Sequence, residues 1–166
     1  LLRQKSRQFD RFFNRAFAKR LRHQGRFKAK DLTTTSRITS LMSQTPLTID
    51  MKATVSEASR LMRGARVSSV LVIDNHKLVG ILTDRDLRNR VLAENLDGNL
   101  PVHQAMTTTP VVIESNALVF EAMLLMSAHN IHHLPVIEND QAKGIVTSTD
   151  ILRGQSSQPL LLIGEI

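Results

Sequence analysis

The stretch Gly80-Ile-Leu-Thr-Asp-Arg-Asp86 recurs 64 residues later as Gly144-Ile-Val-Thr-Ser-Thr-Asp150. Around it, residues 42–86 align with residues 106–150 without a gap, and 17 of the 45 aligned positions are identical. Self-similarity at one fixed spacing is the signature of a duplicated structural unit. The chain is therefore predicted to contain the same unit twice.

Each copy has the same predicted order of elements, β-α-β-β-α. An extended piece follows a proline, and an amphipathic helix comes next, with Thr54 and Glu57 at the spacing of a capping box at its start in the first copy. Two β-rich runs then flank a tight turn at Asp74-Asn75 or Glu138-Asn139, and the second run leads into a helix. The predicted strands are Leu47–Ile49, Val70–Ile73 and Leu78–Leu82, and in the second copy Val111–Ile113, Leu134–Ile137 and Lys143–Val146.

A unit of this size cannot bury both faces of its sheet, so the two copies are expected to pack together. The predicted fold is of the α/β (α+β) class, with two βαββα repeats packed sheet to sheet about a pseudo-twofold axis that creates two equivalent clefts. Related folds pair again between chains, which predicts a homodimer. The predicted divisions are a basic amphipathic helix and linker at 1–37, repeat 1 at 38–97, repeat 2 at 98–154, and a linker with the start of a following domain at 155–166.

Composition excludes several classes of protein. No cysteine is present, which rules out disulfide scaffolds and cysteine-ligated metal centres and is compatible with the cytosol. No apolar run reaches the roughly 18 residues that span a bilayer, and no signal peptide is visible. Hydrophobic residues make up 42% of the chain, enough for a buried core. We therefore expect a cytoplasmic globular protein.

The net charge of +7 is concentrated at one end of the chain. Residues 1–40 hold twelve Lys and Arg against two Asp, a balance of +10, which leaves −3 for residues 41–166. This segment also carries an apolar stripe, which we expect the module, a partner subunit or a preceding domain to cover. An anionic membrane is the rival partner. Nucleic acid is disfavoured, because the aromatic residues are not interleaved with the basic ones. The stripe has helical spacing and consists of Phe9, Phe12, Phe13, Ala16, Phe17 and Leu21.

The Gly-x-x-Thr-x-x-Asp motif carries most of the chemistry of the repeat. A glycine in the strand allows another backbone or a ligand to approach closely. The following helix begins with unpaired amides that favour an anion such as phosphate, and Asp86 or Asp150 could accept two hydrogen bonds from a ribose diol. Thr-x-x-Asp at a helix start is also the pattern of a capping box, so a structural role stays open.

The repeat resembles a tandem pair of CBS domains, known as a Bateman module, over about residues 38–154. The resemblance implies a regulatory ligand of the adenine-nucleotide type (AMP, ADP or ATP) or S-adenosylmethionine in the clefts between the repeats, held through Thr83, Asp86, Thr147 and Asp150; no metal is predicted. The residues that carry the resemblance are Met42, Thr45-Pro46, Val70–Ile73 and Gly80–Asp86, with Met106, Thr109-Pro110, Ile131–Ile137 and Gly144–Asp150.

In similar modules, polar residues ahead of the second strand of one repeat face the Thr/Asp pair of the other repeat. This places His132 and His133 near phosphates at the Thr83/Asp86 cleft, and it places Ser68 and Ser69 at the Thr147/Asp150 cleft. Histidine can donate to phosphate, so the first cleft is expected to bind more tightly. Adjacent strand residues point to opposite faces, which disfavours a metal site at the two histidines.

The base of the ligand is expected to rest against the segment before the first strand of a repeat. That segment is around Val102 to Met106 for the first cleft and around Ile38 to Met42 for the second. Arg85 and Arg88 open the helix after the first motif, where exposure to solvent is expected.

The chain begins without a methionine and ends in apolar residues, which suggests a piece of a longer protein. Its arrangement resembles multidomain bacterial signalling proteins in which a CBS pair lies between a cyclic-nucleotide-binding domain and a nucleotidyltransferase-like domain.

Three classes of function stay open. The favoured one is a regulatory module that binds an adenine nucleotide and signals its occupancy to attached domains. The alternative is a ligand-free dimerisation scaffold of a larger signalling or nucleotidyltransferase protein. An enzyme or nucleic-acid binder is disfavoured, because the sequence has no nucleophile–base set, metal cluster or pair of catalytic carboxylates.

Overall fold

The computed structural model describes residues 36–156, without the side chains of residues 155 and 156, and these residues belong to one compact unit, Thr33–Ile166. The first half contains β1 (Thr48–Asp50), α1 (Val55–Ala65), β2 (Ser69–Asp74), β3 (Lys77–Thr83) and α2, which is α-helical over Asp84–Asp86 and π-helical over Leu87–Leu92. The second half contains β4 (Thr107–Thr108), β5 (Ile113–Glu114), α3 (Val119–His129), β6 (His133–Glu138), β7 (Gln141–Thr147) and α4 (Ser148–Ser156). Single 3-10 turns precede the two halves at Ile38–Ser40 and Val102–Gln104.

This order confirms the predicted βαββα unit and its duplication. In each half the first strand pairs in parallel with the second, and the second forms an antiparallel hairpin with the third. The helix predicted over residues 1–37 lies outside the described residues except for its last two positions. The predicted start of a following domain lies outside them as well.

The two predicted tight turns are two-residue hairpin loops. Asn75 and His76 have φ angles of 46° and 65°, and Asn139 and Asp140 have φ angles of 51° and 61°. Two successive residues with positive φ form the turn type whose twist matches that of the flanking strands, and Asn and Asp tolerate this conformation best among non-glycine residues. Each turn lies one residue later than predicted, because Asp74 and Glu138 still pair with Lys77 and Gln141 in the strands.

The predicted capping box at the start of α1 is confirmed. Thr54 Oγ1 accepts a hydrogen bond from the Glu57 amide at 3.2 Å, and a Glu57 carboxylate oxygen accepts one from the Thr54 amide at 2.7 Å. Both bonds satisfy amides that a helix start leaves unpaired, so α1 begins at a defined residue.

The second strand of each half is covered on both faces. Val70 and Val72 belong to the core under α1, and the alternate residue Leu71, on the other face of the sheet, is also completely buried. In β6, Leu134 and Val136 lie in the core under α3 while Pro135 between them is fully buried. A strand buried on both faces needs a second layer on each side, and the two sheets, which meet at β3 and β7, cover one another.

The segment that precedes each half of the chain pairs with the sheet of the other half, and we call this arrangement the exchange of the lead-ins. Residues 102–108, here called lead-in 2, add β4 to the first sheet through the pairs Gly80↔Thr108 and Ile81↔Thr107. Residues 38–43, lead-in 1, reach the second sheet, where Ser43 bridges Ile145 at the equivalent position. Each half of the chain thus completes its sheet with the segment that leads into the other half.

The exchange also builds the two hydrophobic cores. Val102, Ala105 and Met106 from lead-in 2 pack in the core of the first half. Ile38 from lead-in 1 is completely buried in the core of the second half, where Leu41 joins it. Burial of apolar side chains contributes about 25 cal/mol for each square ångström, so these contacts bind the halves into one folding unit.

The strand glycines of the two motifs are required by this exchange. A side chain on Gly80 would collide with the flexible side chain of Met106. A side chain on Gly144 would place its Cβ 2.5 Å from the Ser43 carbonyl oxygen and 2.8 Å from Met42 Sδ. The glycine was expected to allow close approach of a backbone or a ligand, and at Gly144 the approaching group is the backbone of lead-in 1.

Gly144→Ala is expected to lower the free energy of unfolding by about 1–3 kcal/mol, because a carbonyl oxygen fixed by backbone pairing cannot move away from the new methyl group. Urea unfolding followed by circular dichroism measures the change. Gly64→Ala in α1 is the matched control, since a Cβ there meets nothing within 4 Å; it should leave stability unchanged or raise it by up to about 1 kcal/mol. Equal midpoints for Gly144→Ala and the parent would show that the approach of Ser43 is not tight.

Candidate functional site

The first motif ends in a reciprocal capping box at the start of α2. The Thr83 amide and hydroxyl donate to Asp86 Oδ2 at 2.9 and 2.6 Å, and the Asp86 amide donates to Thr83 Oγ1 at 3.3 Å. The capping role that the sequence left open as the structural alternative is therefore present. The capping box uses Oδ2 of the Asp86 carboxylate and does not use Oδ1.

The second oxygen of Asp86 faces two further groups. Thr107 Oγ1 donates to Oδ1 at 3.3 Å, and Arg90 Nε lies 3.5 Å from the same oxygen. Asp86 itself is only 7% exposed. A carboxylate this deeply buried needs such partners, because an unpaired buried charge is costly.

The second motif repeats the capping geometry closely. The Thr147 amide and hydroxyl donate to Asp150 Oδ2 at 2.8 and 2.7 Å, and the Asp150 amide donates to Thr147 Oγ1 at 3.2 Å. The two halves therefore present the same Thr/Asp pair at the end of their third strands.

A cleft of about 360 Å³ opens beside the first Thr/Asp pair, and we call it cleft 1. Residues of both halves line it: Ile81, Thr83, Asp84, Arg85, Asp86 and Arg90 from the first half, and Thr107, Thr109, Pro110, Val111, Ile131, His132 and His133 from the second. Both predicted histidines thus lie in the same cleft as Thr83 and Asp86.

A larger cleft of about 650 Å³, cleft 2, opens beside the second pair. It brings together Thr147 and Asp150 with Ser68 and Ser69, as the sequence predicted. The rest of its lining is Ser43, Thr45, Pro46, Leu47, Ala65, Arg66, Val67, Asp84, Ile145, Thr149 and Arg153. Asp84 borders both clefts, so its carboxylate lies between the two candidate sites.

The residues predicted to support the base need correction. Val102 and Ile38 are completely buried in the two cores and line neither cleft, and Met106 is 7% exposed. Met42 packs against Gly144 and is also missing from the lining of cleft 2. The exchange of the lead-ins draws these apolar side chains inward, because each lead-in serves as a core layer of the opposite half. The lining comes from positions a few residues later, at 107–111 and 43–47.

The arginines of the clefts were largely missed from the sequence. Arg85 is exposed as expected, but it also lines cleft 1 and donates to the Asn130 carbonyl at 3.2 Å. Arg88 is exposed and donates to its neighbour Asn89. Arg66 and Arg153 line cleft 2, and the contacts that place them there are not local in sequence. For Arg90, the spacing of four residues from Asp86 on one helix was an available signal.

His133 joins the two clefts through a hydrogen bond. Its Nε2 lies 2.8 Å from Ser68 Oγ, and burial lowers the pKa of His133 below its ordinary value. The neighbouring His132 lowers this pKa as well, Asp84 opposes the shift, and smaller effects come from Arg85 and Asp150. His133 is therefore neutral at neutral pH and can donate to or accept from a ligand through its ring nitrogens.

The described residues contain no group of three or more His, Cys, Asp or Glu that could hold a metal ion. No helix among the same residues has the length and apolar character that a membrane crossing requires.

The lowered pKa of His133 has a consequence for stability. The fold favours the neutral ring, so its contribution is complete above about pH 6.5, the ordinary histidine pKa, and is lost as the pH falls through the lowered pKa of the folded state. We expect His133→Gln to lose less stability than the parent between pH 7 and pH 5 in urea unfolding. His129→Gln, at the exposed end of α3, is the control and should follow the parent curve. Identical curves for His133→Gln and the parent would contradict the assignment.

Comparison with known proteins follows the same division into halves. The CBS domain family matches the chain twice, over residues 38–93 and 102–157. The CBS domain-containing protein YhcV of Bacillus subtilis (strain 168) is 33% identical over 122 residues, which are 74% of this chain and 87% of that protein. The CBS domain-containing protein CBSCBSPB2 of Arabidopsis thaliana is 38% identical over 108 residues, but the match covers only 20% of its length. The chain thus spans most of one relative and about a fifth of another.

Solved structures give the same result. An uncharacterized conserved protein from Pyrococcus horikoshii superposes with a TM-score of 0.72 at 31% identity, over 76% of this chain and 96% of that one. The CBS domain pair of protein MJ0100, in complex with 5'-methylthioadenosine and S-adenosyl-L-methionine, superposes with a TM-score of 0.66 at 28% identity, over 71% and 98%. A hexameric CBS-CP12 protein from bloom-forming cyanobacteria has a TM-score of 0.66 at 26% identity, over 75% and 76%.

The duplicated βαββα unit, the two matched segments and the shared structure lead to one conclusion. This chain belongs to the CBS domain family as a tandem pair, which makes it a regulatory module and not an enzyme.

Proposed function

We propose that this CBS pair binds an adenosine compound, of the adenine-nucleotide or S-adenosylmethionine type, in its inter-repeat clefts and transmits occupancy to attached domains. The observation that carries the proposal is the pairing of each Thr/Asp motif with polar residues of the opposite half around an open cleft. The structurally similar CBS domain pair of protein MJ0100, which was solved in complex with 5'-methylthioadenosine and S-adenosyl-L-methionine, supports the proposal.

The volumes of the two clefts suit a small-molecule ligand. Volumes of about 360 and 650 Å³ lie within the range of small-molecule sites, roughly 300–1,000 Å³. Apolar side chains line one side of each cleft, among them Ile81 and Val111 in cleft 1, and could contact a base. The sugar would then lie at the Thr/Asp pair.

Each aspartate would accept hydrogen bonds from a ribose diol. Bonds to a charged acceptor contribute about 1.5–3 kcal/mol each, more than bonds between neutral groups. In both halves Oδ2 is held by the capping threonine, so the ribose would engage Oδ1. The capping box thereby fixes the carboxylate in one orientation before a ligand arrives.

Arginine and histidine side chains of the clefts would hold the phosphates. Cleft 1 offers Arg85, His132 and His133, and cleft 2 offers Arg66 and Arg153. A phosphate in cleft 1 would raise the depressed pKa of His133 and draw a proton to it, which couples binding to pH. Ser68 and Ser69 would add neutral donors in cleft 2.

The regulated partner belongs to the proposal as well. CBS pairs occur within longer proteins, and inosine-5'-monophosphate dehydrogenase of Korarchaeum cryptofilum matches this chain over 24% of its own length at 36% identity. We propose that flanking domains receive the signal. A cyclic-nucleotide-binding domain before the pair and a nucleotidyltransferase-like domain after it remain predictions from the sequence.

We further propose that two copies of the chain associate. Apolar side chains are exposed on the helical surface, with Leu92 75% exposed and Leu61 37% exposed. Exposed leucines of this kind favour association between copies. Multi-angle light scattering should give about twice the chain mass of 18.6 kDa, and Leu92→Lys should shift the mass toward that of the monomer. A monomeric parent at micromolar concentration would overturn this part of the proposal.

Thermal melting in the presence of AMP, ADP, ATP and S-adenosylmethionine tests ligand binding. A ligand at a hundred times its dissociation constant stabilises the native state by about 2.7 kcal/mol, or roughly 5–10 °C for a chain of this size. The double variant Asp86→Asn with Asp150→Asn should lose most of the shift, because it removes the charge of both diol acceptors. Glu94→Gln, an exposed change that lines neither cleft, is the control and should retain the shift.

The competing hypothesis is a ligand-free scaffold. It would be favoured if none of the four compounds raised the melting temperature of the parent. A shift that survived in the double variant would show instead that binding occurs away from the Thr/Asp pairs.

A further inference from the structure

Arg90 makes a set of contacts that joins α2 to lead-in 2. Its Nη1 donates to the Met106 carbonyl at 2.5 Å and to the Ala105 carbonyl at 3.2 Å. Its Nη2 donates to Thr107 Oγ1 at 3.2 Å, and its Nε lies 3.5 Å from Asp86 Oδ1. One guanidinium therefore ties the candidate ribose acceptor to β4, whose Thr107 also lines cleft 1.

These contacts use the remaining capacity of Asp86. A carboxylate has about four acceptor positions. Two are filled at Oδ2 by Thr83, at 2.9 and 2.6 Å, and two at Oδ1 by Thr107 and Arg90, at 3.3 and 3.5 Å. The contacts at Oδ1 are the long ones, so they are the ones that an incoming hydroxyl pair would replace.

The second half cannot hold the same arrangement. A shift of 64 residues places Gly154 at the position of Arg90 and Leu41 at that of Ala105. A Cβ on Gly154 would lie 2.5 Å from Leu41 Cδ2, so the leucine occupies the space that the arginine side chain uses in the first half. A large and a small residue have exchanged places across the pseudo-twofold axis. Gly154 therefore has no side chain with which the second half could repeat the contacts of Arg90.

We infer that Arg90 is a positioning residue that latches cleft 1, so that a ribose diol must displace it from Asp86. The inference rests on the proposed function. It opposes the tighter binding in cleft 1 that the histidines predict, because a ligand there must first displace Arg90. Ligand entry into cleft 1 then also releases the Thr107 hydroxyl from Asp86.

Isothermal titration with AMP, ATP and S-adenosyl-L-methionine tests the latch in an Asp150→Asn background, which reports on cleft 1. Arg90→Met should tighten binding there by on the order of tenfold, the equivalent of about one charge-assisted hydrogen bond that no longer has to be broken. Arg90→Lys, which keeps the charge but loses the paired donors, should give a smaller gain. Arg88→Met is the control and should leave the affinity unchanged, because Arg88 bonds only locally to Asn89 and does not line the cleft.

A second readout separates the latch from a structural role. Arg90→Met removes the hydrogen bonds to the Ala105 and Met106 carbonyls, so its melting temperature should fall while its affinity rises. A residue needed only for folding would lower both. If the Asp150→Asn background does not fold, the same comparison is made as a two-site titration of the parent and Arg90→Met, with cleft 1 assigned as the site lost in Asp86→Asn.

The outcomes distinguish the two proposals. Weaker or unchanged binding in Arg90→Met, with the parent binding at least one compound, overturns the latch and leaves the proposed function in place; weaker binding would make Arg90 a ligand contact. If no compound binds the parent or any variant, both the latch and the proposed function fail.

Discussion

The structure depends on the exchange of two short backbone segments between its halves. Residues 38–43 complete the second sheet and residues 102–108 complete the first, and the pairs Ser43↔Ile145 and Ile81↔Thr107 are equivalent under the pseudo-twofold axis. Gly144 admits the Ser43 carbonyl at a distance that no side chain would permit. Neither half can close its core without the other, so the pair folds and acts as one unit. The clefts, which both halves line, exist only as a result of this closure.

The Thr/Asp pairs that cap helices are also the residues proposed to contact a ligand. The Thr/Asp pairs hold the starts of α2 and α4, and they also present a carboxylate oxygen toward each cleft. A group with a structural role is already oriented, which lowers the entropic cost of ordering it when a ligand binds. The structural role of these aspartates is therefore compatible with the ligand-binding role proposed for them.

Most of the fold could be predicted from the sequence, because its signals are local. The repeat, the Thr54–Glu57 capping box and the acidic–Asn turns each act within a few residues, and the structure has all of them. The members of the clefts were predictable only in part. Thr83 and Asp86 stand out because the repeat marks them, whereas Val102 and Ile38 were misplaced. An apolar residue ahead of a strand has the same appearance in the sequence whether it faces a ligand or a core, and the exchange that decides this is a long-range event. The contacts of Arg90 with residues 105–107 were hidden for the same reason.

The entry of the chain into the second half has a mechanical consequence. Ser36 accepts a hydrogen bond from the Val119 amide at the start of α3, and Ile38 bonds to the Ala117 carbonyl. Seven to eleven residues after Ser36, the same segment of the chain lines cleft 2 with Ser43, Thr45, Pro46 and Leu47. A displacement of the backbone at Ser36 is thus passed to the lining of cleft 2 through a short segment that the buried side chain of Ile38 anchors.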